Sequence, residues 1–134
     1  MRAEAESSVK KTTEDYLEAI LIIREKQGYV RSVDVADQLG VTKPSVTYTV
    51  KRLKENGYIT NDHAGMLVLT ESGESKAQEI YDRHKTLTSF FIALGVSAEQ
   101  AQTDACKIEH DISEETYQAL CRHAKSRKIM EEQR

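Results

Sequence analysis

The sequence has few of the residues that interrupt helices or crosslink small domains. Its 134 residues include one proline, six glycines, two cysteines and no tryptophan. This composition, with 39% hydrophobic residues, excludes a collagen-like or disordered chain and is typical of a folded, helix-rich one. Two cysteines in such a chain do not predict a disulfide, so we expect Cys106 and Cys121 to be thiols or packed side chains.

Long apolar runs are also missing. No run reaches the roughly 18 to 20 residues that a membrane-spanning helix needs, and residues 1–11 lack the apolar segment of a signal peptide. We therefore expect a cytoplasmic protein that has no membrane partner.

An excess of positive charge is missing as well. The chain has 19 Lys and Arg against 22 Asp and Glu, a formal net charge of -3, which excludes a uniformly basic nucleic-acid coat. The charge is uneven, however, because residues 42–54 contain four basic side chains and no acidic one. Local charge of this kind matters more for contact with a polyanion than the total does.

The first helix is predicted after a polar start. Residues 1–11 show no apolar periodicity, and we expect them to form a disordered tail. Thr12 or Thr13 then predicts the N-cap of a helix that ends at Gly28.

A helix-turn-helix is predicted next. A helix that follows Ser32 stops at Gly40, and another with Thr42 as N-cap runs towards Gly57. Two short helices joined through a glycine turn are typical of this motif. The β-prone runs at 58–60 and 66–69, separated by a turn-rich loop, predict a hairpin, which is the wing of a winged helix.

The remainder of the chain reads as helical. Thr70 predicts the start of a long helix that ends near Gly95, and Ser97 and Ser113 each predict the start of a further helix. We therefore predict a mainly α chain, with a winged helix-turn-helix DNA-binding domain at 12–73 and a helical domain at 74–134.

The second helix of the motif carries the candidate DNA-binding residues. Such a helix lies in the major groove with its N-terminal residues at base edges, while basic residues hold phosphates. The predicted base-edge residues are Thr42, Pro44, Ser45, Thr47 and Tyr48, and the predicted phosphate-binding residues are Lys43, Lys51, Arg52 and Lys54. The alternatives are an ordinary solvated helix face and a helix-turn-helix that docks a protein.

A second constellation lies in the acidic half of the chain. Cys106, Glu109 and His110 stand at i, i+3 and i+4, which on a helix places a thiolate, a carboxylate and an imidazole on one face. These groups are metal ligands, so the spacing predicts a metal site. His84 alone is typical of a core histidine, as Cys106 alone is of a small buried side chain.

Four motifs together resemble the diphtheria toxin repressor and manganese transport regulator family of metal-dependent transcription factors. They are TTEDYLEAI at 12–20, VADQLGVTKPSVT at 35–47, YDRH at 81–84 and CKIEH at 106–110. The resemblance spans about residues 12–125. It implies that the helical domain binds metal and forms a homodimer, with helices at about 74–92 and 98–130 in the interface.

The same resemblance implies a ligand set. Carried over motif by motif, the ligands are Asp15, Glu18, His84, Cys106, Glu109 and His110. Cys106 matches the iron branch of the family and Asp15 the manganese branch, so the implied cofactor is Mn(II) or Fe(II). Without the resemblance, Asp15 is typical of a first-turn charge and Glu18 of a surface residue.

The resemblance further implies a repressor, not an enzyme. It would bind double-stranded, palindromic operator DNA as a dimer when loaded with metal, control metal-homeostasis genes and take no small-molecule substrate. The alternatives are a metal-independent winged-helix regulator, a metal-buffering protein and a metalloenzyme. No H-E-x-x-H motif supports the last of these.

Overall fold

The computed structural model describes residues 2–126 of the chain, with side chains from Ser8 onwards. It contains six helices and two strands within this range. In chain order they are α1 (Arg2–Gln27), α2 (Ser32–Leu39), α3 (Lys43–Glu55), β1 (Ile59–Asn61), β2 (Leu67–Leu69), α4 (Glu71–Ala93), α5 (Ala98–Ile108) and α6 (Glu114–Ser126). The predicted mainly α class with a small wing is confirmed.

The chain divides into two compact units. Unit 1 is Met1–Glu79 and unit 2 is Ile80–Arg134, so the division falls inside α4. The sequence predicted a domain boundary a few residues earlier, between 73 and 74.

Helix α1 begins at Arg2, and this corrects the expected disordered tail at 1–11. Residues 2–11 contain no glycine or proline and are rich in Ala, Glu, Lys and Arg, which are strong helix formers. Thr12 and Thr13 therefore lie inside the helix and do not cap it. The predicted end is confirmed, because α1 ends at Gln27 and Gly28 adopts a left-handed φ of 83°.

Helices α2 and α3 form the predicted helix-turn-helix. Gly40 ends α2 with a φ of 67°, and the Thr42 hydroxyl caps α3 by accepting a hydrogen bond from the Ser45 amide at 3.3 Å. Val46 and Val50 are buried one turn apart on the inner face of α3. The opposite face of the helix is left to solvent.

Strands β1 and β2 pair antiparallel, with Ile59 opposite Leu69 and Asn61 opposite Leu67. Asp62 closes the loop between them, since its carboxylate accepts hydrogen bonds from the amides of Ala64 and Met66 at 2.8 and 3.0 Å. The predicted wing is therefore present, with a tip held by its own hydrogen bonds.

The core of unit 1 is built around α1. This helix packs against α2 and β2, while α3 packs against α2 and β1. The large side chains buried here are Tyr16, Leu17, Ile20, Leu21, Ile23, Val30, Val35, Val46, Val50, Leu53, Ile59, Leu67 and Leu69. The wing and the helix-turn-helix thus share one hydrophobic core.

Unit 2 consists of the second part of α4 with α5 and α6. Ser97 and Ser113 open α5 and α6 as predicted, each accepting a hydrogen bond from the amide three residues on. The segment expected at 98–130 is thus two helices separated by a turn at 109–113, and residues 127–130 lie outside the described part. Among residues 2–126, every helix is too short or too polar to cross a lipid bilayer.

Candidate metal centre and nucleic-acid interface

Unit 2 brings three of the predicted metal ligands together. His84 lies on α4, Glu109 is the C-cap residue of α5, and His110 follows it in the turn. His84 Nδ1 is 2.8 Å from Glu109 Oε2, and His110 Nε2 is 3.5 Å from Glu109 Oε1. One carboxylate therefore has an imidazole at each of its oxygens.

This cluster is withdrawn from water. Glu109 is 0% exposed and His110 is 3% exposed, while His84 is partly exposed. A carboxylate so deeply buried is expensive unless positive charge or hydrogen-bond donors compensate it. The two imidazoles compensate the buried carboxylate when their N–H groups point at it. A cation bound among the three side chains would also compensate it.

One atom of the cluster tests whether a metal ion fits. Glu109 Oε1 is buried and accepts no hydrogen bond from the residues that the structure describes. A buried carboxylate oxygen in that state has lone pairs available for a cation. With two imidazoles beside it, the donor set is oxygen and nitrogen, which suits a divalent transition metal.

Unit 1 holds two further predicted ligands on α1. Asp15 and Glu18 are one helical turn apart, so they lie on the same side of the helix. Asp15 is half-buried, and Glu18 is only 9% exposed. Both carboxylates take part in interactions with other groups of the protein. A buried glutamate is rare without a partner of opposite charge or a metal.

Cys106 does not share this environment. It is exposed on α5, three residues before the fully buried Glu109. The prediction placed Cys106, Glu109 and His110 on one helical face, but α5 ends at Ile108 and His110 lies in the following turn. The structure therefore groups His84 with Glu109 and His110, and leaves the Cys106 side chain at the surface.

The predicted DNA-binding residues form the outer face of α3. Eight are exposed and the ninth, Arg52, is half-buried. The exposed ones are Thr42, Lys43, Pro44, Ser45, Thr47, Tyr48, Lys51 and Lys54. None of these nine residues is acidic and four are basic, so together they carry net positive charge.

Hydrogen bonds within α3 restrict what its hydroxyls can offer. The Thr42 hydroxyl donates to Ser45 Oγ at 2.9 Å while it caps the helix, and the Thr47 hydroxyl donates to the carbonyl of Lys43 at 3.1 Å. Thr42 and Thr47 therefore present mainly acceptor lone pairs, whereas Ser45 keeps its own proton to donate. Acceptors of this kind suit the amino groups of adenine and cytosine.

Tyr48 is the most prominent side chain of this face, at 65% exposed. The guanidinium carbon of Arg52 lies 5.8 Å from the centre of its ring, which is the range of a cation–π contact. Beside them is a groove of about 190 Å³ whose wall includes Ser8 and Thr12 of α1. The sequence missed this wall because residues 1–11 were expected to be disordered, and their helix-forming composition was the available signal.

Arg83 is a second feature that the sequence did not point to. It precedes His84 on α4, is 8% exposed and contacts the turn at 109–113. The signal that the sequence offered was the position of Arg83 next to His84. That signal is weak, because adjacent residues on a helix usually face different directions.

The comparisons with known proteins cover both units. Residues 8–66 match the family model of the iron-dependent repressor N-terminal DNA-binding domain, and residues 70–129 match that of the iron-dependent repressor metal-binding and dimerisation domain. Together the two models span most of the chain.

Curated relatives are transcriptional regulators. The chain is 39% identical over 115 residues to the transcriptional regulator MntR of Escherichia coli O157:H7, covering 86% of this chain and 74% of that protein. It is 34% identical over 114 residues to an HTH-type transcriptional regulator of Methanocaldococcus jannaschii, covering 84% and 91% of the two chains.

Solved structures share the fold. A manganese-dependent transcriptional repressor in complex with manganese matches with a TM-score of 0.73 and 28% identity over 81% of this chain. The metal-dependent transcriptional regulator MtsR matches with a TM-score of 0.77 and 26% identity over 87%. This chain spans about half of each of those proteins, 50% and 54% respectively. With both family models matched in order, the chain belongs to the iron-dependent repressor family of metal-dependent transcriptional regulators, which are not enzymes.

Proposed function

We propose that this regulator is a cytoplasmic repressor that binds a palindromic operator as a homodimer when it is loaded with Mn(II) or Fe(II), and so controls metal-homeostasis genes. The observation that carries the proposal is the buried carboxylate of Glu109 with an imidazole at each oxygen. A metal-independent regulator has no need to bury such a group beside two histidines. The family supplies the second half of the proposal, because its two domains bind DNA and metal.

Six side chains are the proposed metal ligands. They are Asp15, Glu18, His84, Cys106, Glu109 and His110. Glu109 and the two histidines are supported by their packing in unit 2, while Asp15 and Glu18 are supported by their shared side of α1 and by the family resemblance. Cys106 is supported by the resemblance alone, since its side chain is exposed.

These residues also suggest how metal would control DNA binding. Asp15, Glu18 and Glu109 carry like charges, and like charges repel when nothing offsets them. A bound divalent cation supplies the positive charge that offsets this repulsion. The cation therefore favours the conformation in which these carboxylates contribute ligands, which is a shift of population.

The exposed face of α3 is the proposed DNA contact. Lys43, Lys51 and Arg52 would hold phosphates, and the side chains at 42, 44, 45, 47 and 48 would meet base edges in the major groove. Two such helices in a dimer must be about 34 to 36 Å apart to read half-sites one helical turn apart. A metal-dependent change in that separation would decide whether operator DNA binds.

The choice of metal follows from the ligand chemistry. Relatives with MntR in their names and a solved manganese-dependent repressor favour Mn(II) for this chain. Carboxylates also favour Mn(II), whereas a thiolate from Cys106 favours softer or borderline ions such as Fe(II). We therefore propose these two ions as the candidates.

The test is DNA binding measured as a function of each ion. A pool of random-sequence duplexes is first selected on the full chain in Mn(II), and again anaerobically in Fe(II). Gel-shift affinities for the recovered duplex are then measured with each metal and with a chelator. We expect a palindromic sequence that is bound at least tenfold more tightly with metal. Equal affinity with metal and with chelator would overturn the proposal in favour of a metal-independent regulator.

A further inference from the structure

Arg83 joins the end of α5 to the start of α6. Its Nη1 donates to the carbonyl of Ile112 at 2.7 Å and to that of Glu109 at 3.4 Å. Its Nη2 donates to a carboxylate oxygen of Glu114 at 2.6 Å. One guanidinium therefore holds both ends of the turn at 109–113, in addition to the hydrogen bonds that the amides of Asp111 and Ile112 donate to the carbonyl of Ile108 at 3.0 Å.

The surroundings of Arg83 keep the guanidinium in this position. Its central carbon lies 5.0 Å from the centre of the Tyr117 ring, and the Tyr117 hydroxyl is 3.4 Å from the Thr86 hydroxyl. The side chain of Arg83 is 10% exposed. Burying a charge this deeply costs free energy unless hydrogen bonds and an opposite charge compensate it. The Ile112 carbonyl and the Glu114 carboxylate provide that compensation here.

Arg83 and its neighbour His84 hold the same residue in two ways. His84 bonds the side chain of Glu109, and Arg83 bonds its main-chain carbonyl. The direction of a buried carboxylate depends on both, because the main chain sets where the side chain begins. Partners that orient a ligand in this way usually change metal affinity when they are removed.

We propose that Arg83 is a positioning residue of the metal site: it fixes the turn at 109–113, and so holds Glu109 and His110 in place before a cation binds. This inference rests on the proposed function. It predicts that removing the guanidinium weakens metal binding although Arg83 contributes no ligand atom.

The experiment compares Arg83→Met and Arg83→Lys with the unmodified full chain. Mn(II) affinity is measured by electron paramagnetic resonance of the free ion, and the geometry of the site by the visible absorption of Co(II). We expect Arg83→Met to bind Mn(II) at least tenfold more weakly and to give an altered Co(II) spectrum. Arg83→Lys should fall between the two, because an ammonium keeps the charge but cannot hold three acceptors in a fixed geometry.

Two controls separate positioning from general stability. Lys85→Met removes a neighbouring exposed cation and should bind Mn(II) like the unmodified chain. Ala124→Gly removes a buried methyl group in α6, far along the chain from the turn, and lowers the melting temperature. It should leave the Co(II) spectrum unchanged. An equal loss of Mn(II) affinity in Ala124→Gly and Arg83→Met would overturn the proposal.

The remaining outcomes are also decisive. Unchanged Mn(II) affinity and Co(II) spectrum in a folded Arg83→Met would overturn the positioning role and leave the proposed function intact. If Arg83→Met does not fold, Arg83→Lys is measured in its place, and an affinity equal to that of the unmodified chain overturns the proposal. An unmodified chain that binds neither Mn(II), Fe(II) nor Co(II) would overturn the proposed function, and the positioning role with it.

Discussion

His84 Nδ1 lies 2.8 Å from Glu109 Oε2, and this contact joins α4 to the end of α5. Glu109 is fully buried, so the contact is shielded from water and is electrostatically stronger than a surface hydrogen bond. Metal ligands must give up their protons to bind a cation. The two side chains that contact each other in the metal-free protein are therefore also the ones that a cation would bind.

Replacing Glu109 with glutamine should separate metal binding from folding. Glu109→Gln keeps the shape of the side chain but removes its charge, and an amide is less expensive to bury than a carboxylate. Loss of a residue that supports a metal ligand typically lowers metal affinity by about 10 to 100-fold. Because Glu109 is itself a proposed ligand, we expect Mn(II) affinity to fall by more than that. The metal-free variant should melt at the same temperature as the unmodified chain, or higher.

Thermal unfolding with and without Mn(II) measures both effects in one experiment. A ligand present at about 100 times its dissociation constant stabilises a protein by about 2.7 kcal/mol. The unmodified chain should therefore melt at a clearly higher temperature in Mn(II), and the variant should not. An equal rise in both proteins would show that Glu109 is not a ligand.

Cys106→Ser tests whether the exposed thiol takes part in the site. If Cys106 is a ligand, its loss should weaken binding of Co(II) and Fe(II) more than binding of Mn(II), because thiolate prefers the softer ions. The Co(II) complex of the unmodified chain should show a sulfur-to-metal charge-transfer band that the serine variant lacks. Cys106→Glu should shift preference towards Mn(II). The same affinities in all three proteins would remove Cys106 from the ligand set.

The position of Cys106 shows where sequence spacing stops being informative. Residues at i, i+3 and i+4 share a face only while the helix continues. His110 follows the end of α5, and even within the helical geometry spacing does not set burial, because Glu109 is buried while Cys106, three residues earlier, is exposed. The contact between His84 and Glu109 was not predictable from spacing either, because 25 residues separate them.

Elements with a cap and an apolar repeat were predictable from the sequence. Thr42, Pro44 and the repeat at Val46 and Val50 placed α3 correctly, because capping and burial act through neighbouring residues. The start of α1 was not predictable in this way. The lack of an apolar repeat indicates that a segment is not buried, but it does not exclude a helix. Strong helix formers at 2–11 extend α1 although their sequence has no apolar repeat.

Two substitutions on α3 should have different effects on DNA binding. Lys51→Ala should weaken binding to all duplexes. It should also reduce the slope of log affinity against log salt concentration by about one. Tyr48→Ala should change base preference, with less effect on the salt dependence. Lys26→Ala, which removes an exposed lysine of α1, should do neither. If Lys51→Ala instead changed the preference at a single base pair, Lys51 would be the base-reading residue and our assignment of the two roles would be reversed.

Acid should weaken the contact between Arg24 and Glu74. The Arg24 guanidinium donates two hydrogen bonds to the Glu74 carboxylate and holds the pKa of Glu74 below its ordinary value. A lowered acid pKa contributes stability above the unfolded pKa, which is about 4.3 for glutamate, and that stability is lost as the pH falls through the folded pKa. Partly exposed pairs contribute only about 0.2 to 1 kcal/mol.

Denaturant unfolding of the metal-free chain at pH 7 and at pH 3 checks this expectation. Glu74→Gln should reduce the stability at pH 7 and matter less at pH 3, because a larger fraction of Glu74 is protonated there. Glu71→Gln, at an exposed position in the same turn of α4, serves as the matched control. A difference between Glu74→Gln and the unmodified chain that does not change with pH would exclude the ion pair as its cause.

Gly73→Ala should destabilise unit 1, although alanine is the better helix former. A Cβ atom built on Gly73 would lie 1.9 Å from the carbonyl oxygen of Tyr58, so α4 and the start of the wing must move apart to admit it. Overpacking of this kind typically destabilises by about 1 to 3 kcal/mol, whereas glycine to alanine in an open helix stabilises by up to about 1 kcal/mol.

Ser72→Ala is the control for Gly73→Ala, since Ser72 is exposed in the same turn of α4. Its stability in urea should be equal to or greater than that of the unmodified chain. If Gly73→Ala were as stable as Ser72→Ala, the approach of α4 to the Tyr58 carbonyl would be looser than the structure shows. If Gly73→Ala is destabilised but binds Mn(II) normally, the damage is confined to the region of the wing. This follows because Gly73 lies in unit 1 and Glu109 in unit 2. Its operator affinity should then fall at every metal concentration, since the wing shares its core with the helix that carries the DNA-binding face.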